Sequence, residues 1–367
     1  MTYFSQHLVQ TFCVFFFSIV NLVLSPVLFF LERRRAQKII ARRNPAGFTS
    51  IFITGAGNGI GRELVRSYAR PGVHLSIIDM NKEALANAAK DATDRGATVT
   101  SEVVDVRDAQ AMREFILAAD AEHPIDLVFA NAGIAAMSSN TDPKYTLHDS
   151  FTDITQVNCQ GVWNTIFPLV SNMCDRSGRA GAFSSQVVLM SSLSAMMPIF
   201  SAPDYAAGKA MVCSAGRSLR RYCEIYNVGV TVITPGFVRT SLIPQNVELP
   251  MLLEVGHAVS NIVTGVERNA GLVAFPNMVY FVTSTLGGMS DIGFDTLSKK
   301  ANLLSAGIAR RFFPAGWSAD SPPTPVALSD GTTGTGTGSA SAFITSGWSN
   351  FQQKAKAGVV KAGSKLD

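Results

Sequence analysis

A doubly wound α/β domain on a parallel sheet of about seven strands is the fold this sequence predicts. Seven short apolar or β-branched runs alternate with stretches of helical periodicity, the pattern of parallel strands joined by crossover helices. Several runs are continuously apolar rather than alternating, as expected of strands covered on both faces. The runs all fall within residues 44–317, a span suited to one large domain, flanked by two ends of different character. Hydrophobic residues make up 47% and charged residues 16% of the 367-residue chain. That balance excludes a disordered chain, a coiled coil and a highly charged nucleic-acid binder.

In chain order, the first element is a 24-residue stretch, 8–31, with no formal charge and six phenylalanines. As a helix it would reach ~36 Å, enough to cross a ~30 Å hydrocarbon core with some tilt. A cleaved leader has basic residues before its apolar run. Here they follow it, as Arg33, Arg34, Arg35, Lys38, Arg42 and Arg43. The expectation is an uncleaved transmembrane anchor, with everything after residue 32 on the cytosolic side. A hairpin at residues 21–26 would make the segment monotopic instead. Membrane attachment is therefore expected, at the endoplasmic reticulum or on a lipid droplet. Segment 32–43 carries +5 of the net +4, so the rest sums to −1 and offers no basic body for a polyanion.

The first strand, 49–54, runs into Thr54-Gly55-Ala56-Gly57-Asn58-Gly59-Ile60-Gly61 and an amphipathic helix carrying Leu64, Val65, Tyr68 and Ala69. Glycines there permit a tight turn and close approach of a pyrophosphate to a helix N-terminus. The second strand, 75–78, ends at Asp79, placed to accept the hydroxyls of an adenosine ribose. An acid there repels a 2′-phosphate, favouring NAD over NADP. The alternative for Asp79 is a cap for the next helix. The third strand, 98–104, leads to Asp105-Val106, a candidate adenine contact. The fourth, 127–130, closes on Asn131-Ala132-Gly133 beside the cofactor. The fifth, 187–190, is followed by Ser192, either a substrate-oxygen ligand or a strand-end turn residue. Thirteen residues on, Tyr205 and Lys209 stand four apart, on one face of a helix. A tyrosine ionises near ~10, and a neighbouring ammonium would lower that value towards use as a base. The sixth and seventh strands are 228–233 and 272–275.

Taken together, the glycine turn, Asp105, Asn131-Ala132-Gly133, Ser192, Tyr205, Lys209 and Pro235-Gly236 resemble the short-chain dehydrogenase/reductase family, over roughly residues 48–276. The resemblance implies a single Rossmann-type sheet and an NAD(P)-dependent oxidoreductase. It makes Tyr205 the acid/base, Lys209 its pKa-lowering partner and ribose contact, and Ser192 the substrate orienter. It adds Asn158 as holder of a proton-relay water, and Pro235, Gly236 and Thr240 as the segment beside the nicotinamide carboxamide. Gly208 and Ala195 depart from residues common in the family, and the loop 177–185 is slightly long.

The segment 237–265 corresponds to the family's substrate lid. Its apolar run, Leu242, Ile243, Pro244, Val247, Leu249, Pro250, Met251, Leu252 and Leu253, points to a lipophilic substrate, with ordinary packing as the alternative. A second uncharged stretch, 269–290, is broken by Pro276, Gly287 and Gly288 and is read as strand and surface rather than a second span. From 318 to 346, 19 of 29 residues are Gly, Ser, Thr or Pro, so residues 318–367 read as a flexible low-complexity tail. Five scattered cysteines and five scattered histidines suggest neither disulfides nor a metal. The expected chemistry interconverts hydroxyl and carbonyl on a steroid, retinoid, sphingoid or long-chain molecule. The alternatives are an NADPH-linked ketolipid reductase and a catalytically silent membrane scaffold. The expected partners are that small molecule and the bilayer, with no nucleic acid; a homodimer is left open.

Overall fold

The computed structural model describes residues 33–135, 145–179, 182–199, 202–243, 249 and 251–288, with Phe16, Leu24, Val27, Phe30 and Leu31. The C-terminal tail, lid residues Pro244, Val247 and Pro250, and nearly all of the expected anchor lie outside the described residues. Among the described residues no helix is long and apolar enough to cross a membrane.

The strands are β1 (Ser50–Thr54), β2 (His74–Asp79), β3 (Thr98–Val103), β4 (Leu127–Ala130), β5 (Ser185–Met190), β6 (Val228–Pro235) and β7 (Leu272–Phe275). They form one parallel sheet in the order β3-β2-β1-β4-β5-β6-β7. The helices are α1 (Gly59–Tyr68), α2 (Lys82–Asp94), α3 (Ala109–Glu122), α4 (Leu147–Ile154), α5 (Gly161–Gly178), α6 (Pro203–Glu224), α7 (Val255–Glu267) and α8 (Asn277–Gly287). Leu64 and Val65 of α1, Leu85 and Ala88 of α2, and Val259 and Ile262 of α7 bury one face of the sheet. Met112 and Ile116 of α3, Ile166 and Leu169 of α5, and Val212 of α6 bury the other. Strand order reverses between β1 and β4, and such a reversal opens a crevice beyond the carboxyl ends of the strands.

All seven predicted strands are present, and their ends differ for local reasons. β2 starts at His74, whose ring is hydrogen-bonded to the Thr98 and Thr100 hydroxyls of β3 at 2.9 and 3.2 Å. β6 runs on through Pro235, which pairs with Phe275 at the strand's last position, where a missing N–H is tolerated. β3 is the edge strand, and most of its residues are exposed rather than covered. The stretch 269–290 divides into β7 and α8 on either side of Pro276.

The basic flank is joined to the domain. Residues 33–40 are helical, with Ala36 and Ile39 buried. Arg42 donates to the Ser177, Arg179 and Ala182 carbonyls at 2.9–3.3 Å. Arg43 donates to the Glu267 carboxylate at 2.8 Å, to Gln186 Oε1 at 2.7 Å and to the Val266 carbonyl at 3.3 Å. Its guanidinium lies 4.3 Å above the Phe48 ring. These two arginines tie the flank to the loop before β5 and to the end of α7.

Candidate active site

The glycine turn holds the shape its sequence requires. Gly55 and Gly59 have φ of +65° and +53°, a region other residues enter at a cost. A Cβ at Gly55 would come within 2.9 Å of the Ala132 Cα, so the turns after β1 and β4 touch. Thr54 Oγ1 accepts from the Asn131 and Ala132 N–H groups at 3.0 and 3.1 Å, and Asn131 Nδ2 donates to the Thr54 and Gly55 carbonyls at 2.9 and 3.2 Å. Gly61 backs onto the Gly55 carbonyl, and Ile60 packs on the core. Asn58 caps α1 in extended backbone without a side-chain bond to the first turn. The N–H groups of that first turn therefore have no capping side chain, as an anion site requires.

Asp79 ends β2 beside this turn. Its carboxylate accepts from the Gly57 N–H at 2.9 Å and the Asn81 N–H at 2.8 Å. The capping role falls to Asn81, whose side chain accepts from the Ala84 N–H. A Cβ at Gly57 would lie 3.0 Å from the Asp79 carboxyl, so the acid and the turn share a cradle that any side chain would fill. Asp105 has a partner of its own: Arg107 grips both carboxylate oxygens at 2.6–3.1 Å and holds the acid below its usual range. Val106 is buried, and its carbonyl accepts from Asn164 Nδ2 at 2.8 Å. At the far side Thr240 folds over the turn, its methyl 3.1 Å from where a Gly59 Cβ would stand. Pro235 accepts from Ser192 Oγ at 3.4 Å, and the Gly236 N–H donates to the Phe275 carbonyl at 2.7 Å.

The four expected catalytic residues converge at the ends of β4, β5 and β6. Asn158 lies fully buried in a π-helical turn, Thr155–Gln160, between α4 and α5. It accepts from the Ile134 N–H and donates to the Ile134 carbonyl, both at 2.8 Å, so it pins the loop just beyond Gly133. A Cβ at Gly133 would stand 3.1 Å from Asn158 Oδ1 and 3.4 Å from Lys209 Nζ. Lys209 donates to the Met190 carbonyl at 3.0 Å, and its Nζ is 5.6 Å from the Tyr205 ring centroid. Ser192 caps the short turn Leu193–Ala195, accepting from the Ser194 N–H at 3.2 Å. The turn role of this serine is thus present, and its hydroxyl also reaches the Tyr205 phenol.

Burial acts on both members of the Tyr205–Lys209 pair. Burial pushes the Tyr205 phenol up, against a hydrogen bond from Ser192 that pulls it down. Burial likewise lowers the Lys209 ammonium to about 8. The ammonium sits over the ring, and for both groups desolvation is the largest effect.

Sequence reasoning missed three supports. The Met190 and Ile134 backbones, which hold Lys209 and Asn158, carry no signal in residue type. Ser191 Oγ donates to the Lys209 carbonyl at 2.7 Å, and the Ser191-Ser192 pair was the available hint. The departure at Gly208 has a steric reason: a Cβ there would lie 2.8 Å from Ile154 Cγ2 and 3.5 Å from Cys159 Sγ. Its absence lets α6 close on the π turn.

A parallel sheet with these side chains at its carboxyl ends defines a dehydrogenase-type site. Residues 49–248 match the short chain dehydrogenase family, and the chain belongs to that family. It is 32% identical over 198 residues to the probable oxidoreductase EphD of Mycobacterium tuberculosis, a match covering 54% of this chain and 32% of that protein. The chain thus spans about a third of that curated relative's length. Among solved structures it resembles a short chain dehydrogenase from Mycobacterium paratuberculosis bound to NAD, with TM-score 0.55 and 21% identity over 64% of this chain and 98% of the other. It also resembles a Sphingobium yanoikuyae short-chain dehydrogenase in complex with NADPH, with TM-score 0.54 and 20% identity over 74% and 99%.

Proposed function

We propose that this protein is an NAD(P)-dependent oxidoreductase that interconverts a hydroxyl and a carbonyl on a lipophilic substrate while tethered to a membrane by residues 8–31. The observation that carries the chemistry is the convergence of Tyr205, Lys209, Ser192 and Asn158 beside a glycine turn built for a dinucleotide. When bound, the nicotinamide supplies or accepts the hydride. Ser192 holds the substrate oxygen, and the Tyr205 phenol gives or takes its proton. Lys209 carries a positive charge over the phenol ring. Asn158 fixes the Ile134 backbone and with it the floor between Gly133 and Lys209. Gly55, Gly57 and Gly59 with the first turn of α1 would hold the pyrophosphate. Asp79 would accept from the adenosine ribose, Asn131 and Ala132 would border the cofactor, and Pro235, Gly236 and Thr240 would close over its nicotinamide end.

NAD is the favoured cofactor because the Asp79 carboxylate stands where a 2′-phosphate would need room and positive charge. Asp79→Ala should tighten NADPH binding by about tenfold, the worth of relieving about 1.4 kcal/mol of repulsion, and weaken NADH binding. Dissociation constants for both nucleotides check this, and an unchanged ratio would remove the assignment.

Support for a lipophilic substrate comes from exposure. Phe237, Leu242 and Met251 of the lid segment and Met278, Phe281 and Val282 of α8 are all exposed rather than used in the core. The end of α8 packs on Met196 and Met197, in the loop after Ser192. The tether rests on the uncharged run and the basic residues after it, placing the domain on the cytosolic face. The reading is tested by assaying alcohol oxidation over sterols, retinoids and long-chain alcohols in detergent. Turnover confined to small water-soluble alcohols would overturn the substrate class.

The buried phenol also sets a pH dependence. Oxidation needs the phenolate, and burial raises the phenol's pKa. The oxidative rate should therefore climb with pH from neutrality upwards, by up to about tenfold per unit. Reduction needs the protonated phenol and should not rise over that range. Initial rates in both directions against pH check this, and an oxidative rate flat from pH 6 to 9 would exclude Tyr205 as a raised-pKa base.

A further inference from the structure

A cavity of about 1040 Å³ opens at the opposite edge of the sheet, before the start of β7. Its wall is formed by the helical residues 33–40, the last turns of α6 and the turn between α7 and β7. Five arginines line it: Arg33, Arg217, Arg220, Arg221 and Arg268. The lining carboxylate, Glu267, is held by Arg43 at 2.8 Å. Glu224, outside the lining, engages Arg221 at 3.1 Å and Arg35 at 3.8 Å. Among the described residues the lining thus holds five arginines against one carboxylate, in a chain whose body is otherwise near neutral.

Two features point to a ligand rather than a solvated basic face. Asn269 lines the cavity, is fully buried with φ of +47°, and its Nδ2 donor has no hydrogen-bond partner among the described residues. A buried amide donor left unpaired costs free energy, and an acceptor in the cavity would satisfy it. Beside it Arg220 is buried and set by donation to the Val230 and Asn269 carbonyls at 2.7 and 2.9 Å. A fixed guanidinium, further arginines around it and an unpaired amide make a donor set matched to tetrahedral oxyanions.

We propose that this cavity binds a phosphate group. A phosphate monoester offers up to two charges and several acceptor oxygens, which a carboxylate cannot match against so many donors. The group can belong to a phospholipid headgroup or to a soluble phosphate. The headgroup source rests on the tether proposed above: the uncharged stretch 8–31 ends two residues before Arg33 of the cavity wall, so a tethered chain would bring lipid headgroups within reach of it.

The test uses the full chain in neutral detergent with NAD present in excess, so that the glycine turn is occupied. Inorganic phosphate is titrated by calorimetry, and binding to phosphatidylcholine vesicles with and without phosphatidic acid is compared by flotation. Wild-type protein should bind phosphate, or prefer the vesicles containing phosphatidic acid, and Arg217→Gln with Arg268→Gln should weaken that binding by about tenfold. Should that pair fail to fold, Arg33→Gln, on a separate segment, makes the same comparison. Phosphate binding identifies a soluble source, and a preference for phosphatidic acid alone identifies the headgroup. No binding in either arm, or binding that folded variants leave unchanged, overturns the proposal.

Discussion

Replacing Tyr205 with Phe should lower kcat for alcohol oxidation by about a thousandfold while leaving the NAD dissociation constant within about twofold. General acid–base catalysis by a placed side chain is worth roughly 10²–10⁴ in rate, and the phenol is the proton-transferring group at the convergence point. The substitution keeps the ring over which Lys209 lies. The contact it removes is the one with Ser192, away from the turn at residues 55–61. Stopped-flow turnover with fluorescence titration of the nucleotide separates the two effects. A rate within tenfold of wild type would assign the proton transfer elsewhere. A wild-type chain that binds NAD yet turns over none of a broad alcohol panel would favour the scaffold reading.

Arg43→Ala should destabilise the domain by about 3 kcal/mol, the upper end of what leaving a buried acceptor unpaired costs. Its side chain is only 8% exposed. Losing it leaves the buried Gln186 Oε1 without its donor and strips the Phe48 ring of its cationic neighbour. For a domain of this size the melting midpoint should fall by about 6–12 °C. Lys38→Ala, in the same basic run but exposed, should stay within about 0.5 kcal/mol of wild type. Thermal or urea melts of the two variants decide it. Equal melts would mean that Arg43 is as peripheral as its sequence neighbourhood suggests.

That contrast marks where the sequence is readable. Strands covered on both faces announce themselves by continuous apolar runs, and the glycine turn and the Tyr205–Lys209 spacing are local, so their partners can be inferred from periodicity. Arg42 and Arg43 are different. A run of basic residues reads as solvated, and only the tertiary fold shows that two of its members reach across 130 residues or more into carbonyls and carboxylates. The pairing of Asp105 with Arg107 is local and was legible in principle, two residues apart. The upward push of burial on the Tyr205 phenol was not, because solvent exclusion is a property of the assembled crevice rather than of any spacing.

The π turn at residues 155–160 has a consequence for the chain on either side of it. An α-helix advances about 100° per residue, and one wider turn inserts a single extra step. Everything downstream is then out of phase with everything upstream, as when one tooth is added to a gear. With that offset Asn158 meets Ile134, while Gly161 and Asn164 meet Val106 beyond β3. The number of residues in this short stretch is thus as much a part of the site as their identity. Deleting any one of them other than Asn158 would turn α5 against its neighbours while leaving the identity of every catalytic side chain unchanged.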